Sequence, residues 1–233
     1  MFVLDIILEL LRKEKNYMKK NFIIDKKETK NIILETLTKF FIFVCLFAIP
    51  PLILRLDIII FNDFVSEMSL TESFQLLFLT LTYGIFFYIA KKIANLRRAS
   101  VLIASFFLVL FIRENDALLD TVYHGFWFPV ALTVTFIAII YFAFDYKNGF
   151  KQLAIYFKMP QMKLIILSIA FLLVFSRLFG MGSFWKLVMV DNYMYMVKSM
   201  IEEGTELLAY LFILYGTFNI YKSLLFLNKE SEK

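Results

Sequence analysis

One cysteine, one histidine, seven glycines and four prolines are all that 233 residues contain of these types. The single Cys45 excludes an intrachain disulfide, and the single His124 excludes any zinc site that takes two or more histidines from one chain. So little Gly and Pro leaves few turn residues for a β-rich or disordered chain. Charge is also scarce, at 19% of residues where soluble domains carry about a quarter. The sequence has no Gly-rich phosphate loop, no Gly-x-Ser-x-Gly and no Cys/His nucleophile pair, so nucleotide hydrolysis and acyl-enzyme chemistry find no support.

What is present is apolar: 61% hydrophobic residues, 29 of them Phe, gathered in long blocks. Crossing about 30 Å of hydrocarbon takes roughly 20 helical residues. Six blocks come near that length, at 36–54, 70–90, 99–120, 126–144, 162–181 and 203–226. The expected fold is therefore all-α, a polytopic bundle of about six transmembrane helices. No internal repeat or second folded domain is visible. Residues 1–35 read as a basic, amphipathic N-terminal segment, 36–227 as the membrane domain and 228–233 as a tail. Pro50 and Pro51 should kink or end the first span. The run Ile58 to Phe61 is too short to cross and reads as interfacial. Trp127 and Pro129 suit the start of the fourth span.

Lys and Arg set the expected orientation, because short cytoplasmic loops retain them. With both termini inside, 20 of the 25 fall on the inner face, and the exceptions are Arg55, Arg113, Arg177, Lys186 and Lys198. The net charge of +5 then belongs to that face, where anionic lipid headgroups are the expected partner and nucleic acid is not. The expected location is a bacterial inner membrane. The stretch Phe2 to Leu11 reads either as a surface-lying amphipathic helix or, with the rest of residues 1–17, as an extension upstream of a start at Met18.

Several charges have no room to leave the bilayer. Only 14 residues separate Arg98 from Arg113, about 21 Å of helix, so the third span is expected to continue through Arg113, Glu114 and Asp116 to Leu119 or beyond. An ionisable residue at that depth costs on the order of 3 kcal/mol and is a functional candidate by default. On one helix Asp116, Asp120 and His124 follow at i, i+4, i+8 with Arg113 on the same face, and Asp120-x-x-x-His124 has the spacing of two metal ligands. Glu114 points elsewhere, toward another helix. The fifth span must likewise include Arg177, which calls for an acidic partner among Glu202, Glu203 and Glu206 of the sixth, with Tyr210 near the same face. Glu72 and Gln75 open the second span. The topology sends all of these to the outer half, where seven acids face Arg113 and Arg177.

Such an excess calls for protons, a bound cation or contact with water. The metal candidates are Asp116, Asp120, His124, Glu203, Glu206 and Glu72, and a divalent ion is the cofactor that such a set would take. His124, Glu206 and Arg177 are the catalytic candidates. Arg113, Glu114, Arg177 and Glu202 are equally expected as structural ion pairs, which would leave the cluster a helix clamp.

The pattern Arg113-Glu114-x-Asp116-x-x-x-Asp120, His124-Gly125-x-Trp127 and Glu202-Glu203-x-x-Glu206-Leu207 resembles a group of uncharacterised bacterial multi-spanning inner-membrane proteins, a resemblance that covers spans two to six and implies no activity. The seven-helix hydrolases of the alkaline ceramidase type also place acids and histidines at a membrane-embedded zinc, but need three His where this chain has one. Three functions stay open: a cation- or proton-binding protein in transport, channel or sensing; a metal-dependent hydrolase or transferase acting on a membrane lipid; and a non-catalytic subunit that assembles with copies of itself or with another membrane protein.

Overall fold

Asp57 and Ser69 together start the best-packed part of the chain. The Asp57 carboxylate accepts from the Leu70 N–H (2.7 Å), the Thr71 N–H (2.9 Å) and the Thr71 hydroxyl, and the Ser69 hydroxyl accepts from the Glu72 N–H (3.0 Å). Four donors at one helix N-terminus, which would otherwise lack partners, are thereby met. Burial of Asp57, at 4% exposed, makes this cap a tertiary contact as well as a local one.

The structure, a computed structural model, describes residues 9, 26–61 and 69–231. Apart from Glu9, the stretch Phe2 to Leu11 and the question of a start at Met18 lie outside them. In chain order the helices are α1 (Lys26–Phe61), α2 (Leu70–Lys92), α3 (Arg97–Glu114), the single turn α4 (Asp116–Leu119), α5 (Trp127–Ala143), α6 (Tyr146–Lys158), α7 (Pro160–Ala170), α8 (Gly182–Met189) and α9 (Tyr195–Ser231). A π-helical stretch, Phe171–Ser176, continues α7 into a last turn at Arg177–Phe179. Among the described residues five helical stretches are long and apolar enough to cross a membrane, and six if α5 and α6 form one broken span.

The chain divides into two compact units at Cys45 and Leu46. In the first, residues 26–45 are mostly exposed, with Thr36 and Thr38 bonding the Ile32 and Leu34 carbonyls and Lys39 paired to Glu35. In the second, α2 and α3 pack through the stacked rings of Phe86 and Phe107 (6.0 Å), and α9 lies against α2 and α7. Gly216 permits the close approach to α7, since a Cβ there would sit 2.6 Å from Ile165.

Two expectations are corrected. Pro50 and Pro51 do not end α1, which runs on to Phe61 and takes in the stretch Ile58 to Phe61. A helix within a membrane protein tolerates such prolines where neighbouring groups satisfy the freed backbone. The third span does not continue through Asp116. It gains length upstream instead, from the 3-10 turn Ala94–Leu96, because Arg97 donates to the Ala90 carbonyl and Arg98 to the Tyr141 carbonyl, so both cations are met at the helix start. At its other end the Asn115 amide donates to the Phe111 carbonyl (3.0 Å) and closes the helix. The basic stretch between α5 and α7 forms helix α6, turned 104° from α5. Its Tyr156 is fully buried and bonded to Ser100 (2.6 Å), while Phe150 and Phe157 are exposed beside Lys147, Lys151 and Lys158, the composition of a helix lying in the interface.

Replacing Asp57 by Ala should cost about 2 kcal/mol, read as a lower Tm in detergent by circular dichroism, whereas the exposed Arg55→Ala should change stability by less than about 0.5 kcal/mol.

Candidate functional site

Glu206 lies on the buried face of α9, its side chain 8% exposed, and three elements converge on its Oε1. Ser176, at the end of the π-helical stretch, donates a hydrogen bond (3.2 Å), Arg177 Nη2 faces it at 3.6 Å and Arg113 Nη2 of α3 at 3.9 Å. Arg113 also pairs with Glu114, whose Oε1 accepts from the Tyr210 hydroxyl one turn along α9 (2.7 Å). Arg177 turns its other terminal nitrogen to Glu202 (3.7 Å), and Glu202 pairs with Lys198. The order Glu114, Arg113, Glu206, Arg177, Glu202, Lys198 alternates in sign, three acids against three cations.

The backbone aims these groups. A π-turn inserts one residue into the helical register, which rotates every later side chain of that helix by about 100°. Ser176 and Arg177 come after that insertion and meet α9. The rings of Phe171, Phe175 and Phe179 stack at 4.7 and 5.2 Å along the widened turn. Gly180 then leaves room for Glu202, as a Cβ there would stand 2.7 Å from the Glu202 carboxyl carbon.

Beside this chain of pairs Glu203 is placed differently. Its Oε1 accepts from the Ser199 hydroxyl (2.8 Å), its backbone carbonyl accepts from Gln75 of α2 (3.2 Å), and the charges it feels most are those of Glu72, Asp57 and Glu202, all acidic. Among the described residues it makes no ion pair within 4 Å. Deeper along the helices lie two buried hydroxyls, Thr82 and Thr217, that have no hydrogen-bond partner among the described residues. Gln75 and Thr82 stand at i, i+7 on α2, and Glu203, Tyr210 and Thr217 at successive i+7 positions on α9, so each helix carries a polar stripe along one face.

The structure thus brings together Arg113, Glu114, Arg177, Glu202 and Glu206, and adds Lys198, Ser176 and Tyr210. It leaves out Asp116, Asp120 and His124. Asp116 is exposed and accepts from the Ala117 N–H; Asp120 accepts from the Gly125 N–H (3.0 Å) and pairs with His124 Nδ1 (3.2 Å), whose ring is fully exposed. The helix that would have carried them past Arg113 ends at Glu114, so the shared face does not exist. Among the described residues no three Asp, Glu, His or Cys side chains come together as a metal site. Among the described residues the metal set built on Asp116, Asp120, His124, Glu72, Glu203 and Glu206 is not assembled at one point.

Fold and site define an integral, multi-pass, all-helical membrane protein with an ionic network among α3, the turn Arg177–Phe179 that ends the α7 span, and α9. Comparison with family models, with curated proteins and with solved structures gives no match, so the resemblance to uncharacterised inner-membrane proteins is left with the multi-span helical pattern alone.

Glu206→Ala should lower stability in detergent by about 3 kcal/mol or more, because it leaves Arg177 and Arg113 facing a buried position without their shared acid. Asp120→Asn, on the exposed loop, should change it by less than about 0.5 kcal/mol by the same thermal melt.

Proposed function

We propose that this chain is a transport or sensing protein of the bacterial inner membrane whose intramembrane carboxylates bind a proton or a small cation, with Glu203 as the residue on which binding turns. The observation that carries the reading is the contrast between two neighbouring residues of α9. Glu202 has Arg177 and Lys198, whereas Glu203 has a hydroxyl donor and acidic company. An uncompensated charge inside a bilayer costs on the order of 3 kcal/mol, and a bound proton or cation removes that cost. The stripe of Gln75, Thr82 and Thr217 supports a polar path from Glu203, since buried hydroxyls without partners are uncommon and suit water or an ion in passage. The sorting of Lys and Arg supports an orientation with both termini inside and Glu203 toward the outer face. The six alternating charges act as the clamp that holds the helices around it.

Binding is tested by the melting temperature of the detergent-purified protein between pH 5 and 9 and, at constant pH and ionic strength, with sodium, potassium or calcium. A proton held by the folded protein and released on unfolding makes stability fall as pH rises. A cation instead raises the melting temperature as its concentration increases. Either response should be lost in Glu203→Gln, and a wild-type response that survives this substitution unchanged would contradict the reading.

A further inference from the structure

At the Lys- and Arg-rich end of the second unit, where α5 bends into α6, a cavity of about 480 Å³ opens beside the start of α3. Its rim carries Arg97, Arg98 and Lys151 against one acid, Asp145. Asp145 accepts from the Asn148 amide (2.9 Å) and faces Arg98 Nε at 3.5 Å. The Asn148 hydrogen bond, helped by Arg98 and Lys151, holds its carboxyl below the usual carboxylate range, so it stays ionised and the rim has a net charge of +2. Arg98 is already engaged by Asp145 and the Tyr141 carbonyl, and Gln152 takes the Arg98 and Ala99 N–H groups. The terminal guanidinium nitrogens of Arg97 and the Lys151 ammonium remain to meet an anion, with Asn95 and Asn148 alongside them on the wall.

A second hollow, about 250 Å³ and almost wholly apolar, lies between the same two helices, α3 and α5. On α3 it is lined by Leu102, Ser105, Phe106 and Val109. Counted at 100° per residue from Arg98, Leu102, Ser105 and Val109 each lie within about 40° of it, an arc of about 60°, with Phe106 about 80° round, so one side of α3 borders both the cationic cavity and the apolar groove. A cationic pocket with an apolar groove further along the same helix has the two-part chemistry of a lipid. A free phosphate would have no use for the groove, and a neutral lipid none for the cations.

We infer that the cavity and groove together bind one anionic glycerophospholipid, its phosphate against Arg97 and Lys151 and an acyl chain in the groove between α3 and α5. The site is separate from the ionic network, lies at the opposite end of α3, and does not depend on the function assigned to Glu203.

The full-length protein, delipidated in neutral detergent, is titrated with phosphatidylglycerol, with phosphatidylcholine of the same chains and with inorganic phosphate, and bound lipid is counted by native mass spectrometry. Phosphatidylglycerol should bind at least about fivefold more tightly than phosphatidylcholine, the effect of one favourable cation near an anionic headgroup. Lys151→Gln, which breaks none of the hydrogen bonds or ion pairs around the cavity, should remove most of that preference, and Arg97→Gln should add to the loss. Val109→Trp should weaken both lipids by filling the groove. Equal binding of the two lipids, a preference unchanged by Lys151→Gln, or displacement of phosphatidylglycerol by an equal concentration of inorganic phosphate would each overturn the proposal.

Discussion

A charge that enters hydrocarbon has to find its counter-charge inside the protein, and the Glu206 end of this bundle is organised by that requirement. An exposed ion pair contributes about 0–1 kcal/mol, whereas an ionisable group at bilayer depth costs on the order of 3 kcal/mol unless it is met. Glu206 is met from three sides, by Ser176, Arg177 and Arg113, and the alternation of sign carries on to Glu114 and to Lys198. Apolar packing distinguishes poorly between helix registers, because lipid tails are as apolar as Leu and Phe. A chain of paired charges distinguishes sharply, because sliding any helix by a turn leaves one of them alone.

The same economy explains why irregular backbone sits where it does. The π-turn before Ser176 and the close of α3 at Asn115 are departures from the regular helix, and each aims a charged group. The first rotates Arg177 toward α9; the second leaves Arg113 and Glu114 as the last residues of α3, directed at Glu206 and Tyr210. The other end of the bundle handles charge by a different route. There the cations stand at the surface, and the 104° bend into α6 builds a basic rim that is half satisfied from within by Asp145, Gln152 and the Tyr141 carbonyl. One end is closed on itself, and the other keeps an excess of positive charge, Arg97, Arg98 and Lys151 against Asp145.

Length and composition made the membrane class legible, since 20 apolar residues in a row have few other uses, and the need of Arg177 for an acid on the last span followed from the same arithmetic. The errors share a cause. Counting residues between charges assumes that a helix excludes Arg at its ends, yet Arg97 and Arg98 begin α3 because backbone carbonyls of other segments accept from them. Extending α3 downstream instead put Asp116, Asp120 and His124 on a helical face they never share. Lys198 counts in the sequence only as one of five cations outside the inner face, although its position four residues before Glu202 is the ordinary spacing of a helical ion pair. The π-turn left no signal in the pattern of Phe and Leu, and neither did the tie between Asp57 and the start of α2.

The most direct measurement is a double-mutant cycle between Arg177 and Glu206, using Arg177→Met, Glu206→Gln and the combined variant, with stability read by reversible denaturation in detergent. Members of one buried network should be coupled by about 1–3 kcal/mol, so the double variant should be markedly less destabilised than the two single effects added together. Strict additivity, within about 0.3 kcal/mol, would show that the two residues do not share an interaction and would contradict the ionic network as the constraint that holds these helices together.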